Sequence, residues 1–383
     1  MSNRSSSFDV AVVGAGVVGL AVGWRAAQRG LGVIVLDRAD RPGAGTSAVA
    51  AGMLAPISET IATELPLMRL GLASLSAYPQ FVEELSEASG MDPGYLRCGT
   101  LLAARDADEA EALGRELVLR QSLGLTVNRL LGSEARRREP ALAPTLRLAL
   151  DIPDDHAIDP RKLSAALAVA LERAGGTLRT GAAVSGVTIA HDRATGITLA
   201  DGSDIPAENV VVAAGPWSSS LAGIPDGARI PIHPIKGQII RLHDPSGPGL
   251  LTRVLRMTGG YVVPRGDGRY VIGATMEERG FDTAVTAGGA FELLRNAFEL
   301  LPSVTELVID ELSAGLRPAT PDNLPAIGPG ATAGLHWAVG HYRHGVLLTP
   351  ITADLVVGAL AGEGPTDDEF APTRFAGVPA VAA

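Results

Sequence analysis

Residues 8–13, FDVAVV, form a short β-branched run that predicts a buried strand. Glycines interrupt the chain from Gly14 to Gly19. The overlapping stretch VVGLAVGWRAAQRG (17–30) then reads as a helix closed by Gly30. Arg25 and Arg29 stand near its C-terminal end, where positive charge offsets the helix dipole. GVIVLD (32–37) is a second strand, so the chain opens as a right-handed βαβ unit.

Regular alternation stops there. Residues 43–55, GAGTSAVAAGMLA, are nearly all small, and a helical region runs on to about Gly90. In IDPRKLSAALAVALERAGG (158–176) apolar residues recur at helical spacing, with Asp159 as N-cap and Pro160 at the first helical position. Three short strands are expected between 177 and 206, then a further strand NVVVAAG (209–215). Residues 228–316 read as antiparallel strands interrupted by a helix at 288–301. LHWAVG (335–340) is the last strand, and VLLTPITADLVVGALAG, from Val346, the last helix.

These elements predict an α/β (α+β overall) architecture: a Rossmann-like dinucleotide-binding domain with an inserted antiparallel-sheet domain. The first would comprise 1–80, 151–220 and 317–370, the second 81–150 and 221–316, with 371–383 a loose tail. A length of 383 residues accommodates both.

With 46% apolar and 19% charged residues, the chain reads as an ordered globular protein. A net charge of −10 and the lack of any basic window argue against nucleic acid and anionic membrane surfaces as partners. The longest glycine and apolar run, 11–24, is too short for a membrane span. MSNRSSSFDV enters a strand without a signal-peptide pattern, which predicts a soluble cytoplasmic protein. Cys98 is the one cysteine, so neither an internal disulfide nor a thiolate metal cluster is expected, and no metal ligand set is assigned.

GAGVVG (14–19) matches G-x-G-x-x-G between a strand and a helix. Gly14 permits the tight turn, Gly16 lets backbone N–H groups approach a pyrophosphate, and Gly19 lets helix and strand pack closely. Asp37, ending the second strand, is placed to accept from ribose hydroxyls. It would also repel a 2′-phosphate beside Arg38. NAD and FAD both use such a loop, and three features favour FAD. The βαβ pattern is not repeated, the small-residue run lets backbone approach an extended cofactor, and the late strand–helix unit brings a helix N-terminus towards an electron-rich ring edge.

The stretches VVGAGVVGLAVGWRAAQRG, VLDR, GTSAVAAGML, VVAAGPWS, PIHPIKGQII, GGYVVPRGDGRYVIGATME, GLRPATPDNLPAIG and GHYRHGVLLTP together resemble the D-amino-acid oxidase superfamily of flavoenzymes. Within it the chain is similar to the glycine oxidases of thiamine biosynthesis. The resemblance implies noncovalent FAD held by Gly14, Gly16, Val17, Val18, Gly19, Asp37, Arg38, Thr46, Ser47, Ala51, Gly52, Met53, Val184 and Gly215. It adds Tyr342, Arg343, His344, Gly345, Val346, Leu347 and Leu348. It also implies a homo-oligomer, a homotetramer as in relatives, with a link to thiazole synthesis by metabolite alone.

For the substrate, Arg317 and Arg343 fall on arginines that this family sets beside substrate carboxylate and flavin. A guanidinium presents a planar fork matching a carboxylate. No carboxylate adjoins either in sequence, so an anionic ligand is their expected partner. Asp267-Gly268 signals a two-residue turn, which pairs Tyr261 with Ala274 and Gly259 with Met276. Tyr261 and Met276 would then share one face, Tyr261 offering a hydroxyl while Met276 and Met53 fill space needed by a larger side chain. Such a pocket suits glycine and other small amines.

Oxidation at Cα by a flavin requires no side-chain base, and no catalytic base is assigned. His233, His341 and Lys236 read as structural, Lys236 having a role in oxygen reduction as its alternative, and His344 is unassigned. The reading that results is an amine oxidase converting glycine, water and oxygen to glyoxylate, ammonia and hydrogen peroxide. Its alternative is a D-amino-acid or sarcosine dehydrogenase that uses a carrier. An NAD-linked dehydrogenase and a noncatalytic flavoprotein subunit are further readings.

Overall fold

The computed structural model describes residues 7–363 and 368–377. Its first sheet is built on three parallel strands, Phe8–Val13, Val33–Leu36 and Asp204–Val212. Their register sets Val13 level with both Leu36 and Val212, so the three chains leave the sheet at one edge. Gly14, Asp37 and Ala213 follow at that edge, where open α/β sheets bind ligands. Thr177–Arg179 extends the sheet on one side and Leu335–Val339 lies parallel to Asp204–Val212 on the other.

Helices Val17–Gln28, Pro160–Arg173 and Thr349–Leu360 pack together over one face, burying Trp24 and Leu20 completely. The other face is covered by the meander Val184–Ala190 and Arg193–Leu199 and by Trp337. Asp159 caps its helix as expected, accepting from the Arg161 N–H at 2.9 Å.

A second eight-stranded sheet draws on 100–152 and 233–319. It is antiparallel except where Val254–Met257 runs parallel to Thr100–Ala104. Helix Ala287–Leu300 covers it, and Leu293, Ala297 and Leu300 fill the interface. The strand Val308–Ala319 runs past the expected boundary at 317, so Arg317 belongs to this sheet.

Four further expectations are corrected. The strand expected at 209–215 starts earlier, as the single strand Asp204–Val212. The final helix starts at Thr349 and not at Val346, because the 3₁₀ turn Tyr342–His344 and a second turn at 345–348 come first. The hairpin loop has three residues: Gly266 and Gly268 both have positive φ, and Arg265 N–H donates to Arg269 O at 2.9 Å. Tyr261 therefore faces Gly273 and not Ala274, one residue off the expected register. Lastly, the expected loose tail is packed over 371–377, where Phe375 is buried and Arg374 pairs with Asp322 at 2.9 Å. The remainder of that tail, 378–383, lies outside the described residues.

Candidate active site

A cavity of about 1160 Å³ runs from the carboxyl edge of the first sheet to the face of the second. Gly14 turns the chain at φ +108°, where an added Cβ would stand 2.4 Å from Ala213 O. Gly19 lies outside the cavity and serves packing alone, since a Cβ there would meet Gly14 O at 1.9 Å. Ser47 Oγ accepts from Val17 N–H at 3.1 Å, which completes the start of helix Val17–Gln28. The Asp37 carboxylate accepts from Ala15 N–H at 2.7 Å and Ala39 N–H at 2.9 Å, tying the glycine loop to the second strand. Arg38 stacks 3.8 Å over Trp217, a residue the sequence reading did not single out.

Of the other residues expected to hold cofactor, Gly16, Val18, Thr46, Ala51, Gly52, Met53, Val184, Gly215, Tyr342, Arg343, Gly345 and Val346 line this cavity. Leu347 and Leu348 do not: both side chains are buried in the core beside the helices. His344 is likewise buried behind the wall. Along this last segment the backbone N–H groups of Val346 and Leu347 make no hydrogen bond among the described residues. Two free donors ahead of a helix, a glycine loop with no side chain in the way, and a long cavity joining them fit an extended dinucleotide such as FAD.

At the other end, Arg317 Nη1 donates to Thr275 O at 3.1 Å and to Lys236 O at 3.4 Å. Among the described residues no carboxylate lies within 4.0 Å of it. Arg343 differs, and the expectation that both arginines lack carboxylates is corrected. Its Nη2 lies 3.2 Å from Glu64 Oε2 and its Nε 3.5 Å from Glu59 Oε2. Glu59 also lies 3.6 Å from Arg256 Nη2 and 3.4 Å from His344 Nδ1. The turn carrying Glu59 is fixed by buried Asp155, which accepts from Ile57 N–H at 3.0 Å and Ser58 N–H at 2.8 Å.

The titratable groups near Arg317 are displaced from their ordinary values. Burial raises the Glu59 carboxyl, but the charges of Arg256, Arg343 and Arg317, joined by His344 only once that ring is protonated, outweigh it and hold it below the usual range. Burial pushes the His344 imidazole down to about 4 and the Tyr261 phenol up. A fixed guanidinium without a carboxylate partner is thus left facing the cavity, able to bind an anion.

Met53 is half-buried in the wall. Met276 is 69% exposed and lies past the end of strand Arg269–Gly273, so it stands at the rim and does not share the Tyr261 face. There the Tyr342 hydroxyl donates to its sulfur at 3.4 Å. Lys236 is buried and outside the cavity wall, with Nζ 3.0 Å from Asp282 and 3.7 Å from Glu277, which supports its structural reading. His341 Nε2 is 2.9 Å from Thr352 Oγ1. No helix is long and apolar enough to cross a membrane among the described residues.

Known proteins resemble this chain in sequence and fold. The chain is 36% identical to glycine oxidase of Geobacillus kaustophilus (strain HTA426) over 367 residues, 95% of this chain and 96% of that one. It is 35% identical to the bifunctional protein ThiO/ThiG of Synechocystis sp. (strain ATCC 27184 / PCC 6803 / Kazusa), where 96% of this chain matches 54% of the longer one. The crystal structure of glycine oxidase from Geobacillus kaustophilus superposes with a TM-score of 0.88, at 35% identity, covering 96% of this chain and 99% of that chain. A family model described as FAD dependent oxidoreductase (DAO) matches residues 9–359. With a dinucleotide cradle at one end of the cavity and, at the other, a guanidinium without a carboxylate partner among the described residues, the chain belongs to the DAO family of FAD dependent oxidoreductases.

Proposed function

We propose that this protein is an oxidase of glycine and other small amines. Arg317 carries the reading: it is a cavity-lining guanidinium with no carboxylate partner among the described residues. It would take the substrate carboxylate, with the Tyr261 hydroxyl beside it. Met53 bounds the space beyond Cα, and Met276 with Tyr342 narrows the mouth. FAD, when bound, supplies the two-electron acceptor that glycine oxidation requires. The cavity-lining residues hold the amino acid by its carboxylate so that Cα faces the cofactor end. Glu59 is held as a carboxylate by its arginines and His344 as a neutral ring, so neither is assigned as a base. Loss of two electrons from the Cα–N bond gives the imine of glyoxylate, and water hydrolyses it to glyoxylate and ammonia. Oxygen takes the electrons and two protons to become hydrogen peroxide.

The imine is also the form that thiazole formation for thiamine would consume, which suits a relative joined in one chain to ThiG. In this reading 1–80, 151–220 and the chain from 320 to 370 hold the cofactor. Residues 81–150 and 221–319 supply the sheet that holds the substrate, and Met53, Glu59 and Arg343 reach it from the cofactor part. A cytoplasmic homotetramer working by metabolite exchange completes it.

Peroxide release measured with glycine, sarcosine and small D-amino acids tests the proposal. Glycine-dependent peroxide with equal glyoxylate supports it. Turnover that requires an added electron acceptor in place of oxygen would point to a dehydrogenase.

A further inference from the structure

Three arginines, Arg256, Arg317 and Arg343, line the substrate end of the cavity. Two carboxylates answer them. Glu64 pairs with Arg343 at 3.2 Å. Glu59 stands between Arg256 and Arg343, 3.6 Å from the first and 3.5 Å from the second. It lines the cavity itself, with only 10% of its side chain exposed. His344 approaches Glu59 at 3.4 Å but adds no charge near neutral pH, because burial keeps it unprotonated. Arg120, also in the wall, is matched by Glu116 at 3.0 Å, and Asp155 is turned to the backbone N–H groups of Ile57 and Ser58. Three positive charges against two negative remain, and among the described residues Arg317 is the one of the three guanidinium groups without a carboxylate neighbour.

A substrate with one carboxylate completes that balance. A second carboxylate would find Arg256 and Arg343 already engaged and would face Glu59, a like charge on a largely buried side chain. We propose that Glu59 limits the substrate pocket to a single carboxylate, making it the residue that selects monocarboxylic over dicarboxylic amines. This rests on the amino-acid oxidase reading above. It differs from a size filter, because it concerns charge at equal volume.

Malonate and its monoamide, malonamate, separate charge from size and need no turnover. Their binding is read from the perturbed absorbance of the bound flavin. The parent should bind malonamate in preference to malonate. Glu59→Gln should shift the ratio towards malonate by about tenfold or more, since one arginine loses its partner. Adding Arg256→Gln restores the charge count, and the double variant should return to the parent ratio. With substrates, Glu59→Gln should likewise raise kcat/KM for D-aspartate relative to D-asparagine. Should Glu59→Gln fail to fold, Arg256→Gln alone should weaken malonamate binding by about tenfold with flavin retained. A ratio within about twofold of the parent in Glu59→Gln would overturn the proposal. So would a double variant that keeps the ratio of the single one, or Arg256→Gln binding malonamate as the parent does. A parent that oxidises no amino acid would instead overturn the proposed function, leaving the ligand ratios as a separate result.

Discussion

Arg317 and Tyr261 reach the cavity across two bare places in one sheet. The Arg317 guanidinium crosses Gly237, where an added Cβ would stand 2.5 Å from Nη1. The Tyr261 phenol crosses Gly273, where a Cβ would stand 2.5 Å from Oη. These glycines lie on the paired strands His233–His243 and Arg269–Gly273, so the second sheet presents a floor on which both polar groups lie flat.

Gly237→Ala should therefore displace Arg317, and Gly273→Ala should displace Tyr261, without removing either. A shift of about 1 Å in a binding group costs on the order of a hundredfold in rate. Steady-state kinetics with glycine should show kcat/KM reduced by about that factor in Gly237→Ala, with flavin content unchanged. Parent-like kinetics would mean that the floor does not position the guanidinium.

The flavin should be noncovalent. Cys98 lies outside the cavity wall, and burial pushes its thiol up to about 11, so it is not a thiolate available for attachment. Acid precipitation should leave the protein colourless and the supernatant yellow. Colour retained by the pellet would contradict this.

Stability should fall as pH drops below 6.5, the ordinary histidine value from which burial moves His344 down to about 4, His336 to about 4 and His341 to about 3. Above that value the rings are neutral in both states and contribute nothing. Below it the unfolded chain takes up protons that the folded chain refuses until much lower pH. Asp155 opposes the trend, since burial raises it from 3.8 to about 6 and the folded state binds its proton first. Asp354, which burial also raises, opposes it too, and His156, which burial also lowers, adds to it. The histidines outweigh the two aspartates, so thermal midpoints should be lower at pH 5 than at pH 7. Equal midpoints, or a higher one at pH 5, would refute the assignment of these rings as buried and neutral.

The cofactor end was largely legible in the sequence because its signals are local. A glycine loop, a strand-ending aspartate and a capped helix each span a few residues and specify their own geometry. Arg317 was legible for its chemistry but not for its sheet, since the strand Val308–Ala319 runs on past the expected boundary. Glu59, Glu64 and Arg256 were missed. Arg256 meets Glu59 across nearly two hundred residues of chain, and Arg343 meets Glu59 and Glu64 across still more, so no spacing rule connects them. Trp217 escaped for the same reason, since its partner Arg38 lies on another segment. The hairpin register was misread because Asp267-Gly268 also serves a three-residue loop once Gly266 adopts positive φ.

Arg317→Ala, assayed with glycine and with methylamine, bears on the carboxylate anchor itself. Losing one partner of a buried charged hydrogen-bond pair costs roughly 2–5 kcal/mol, which is about 30-fold to several thousand-fold in kcat/KM. Methylamine is glycine without the carboxylate and cannot use the guanidinium. The variant should keep its flavin and fold, lose that factor with glycine, and lose far less with methylamine. Equal losses with the two amines would contradict the anchor and show that Arg317 serves to tie Thr275 and Lys236 together.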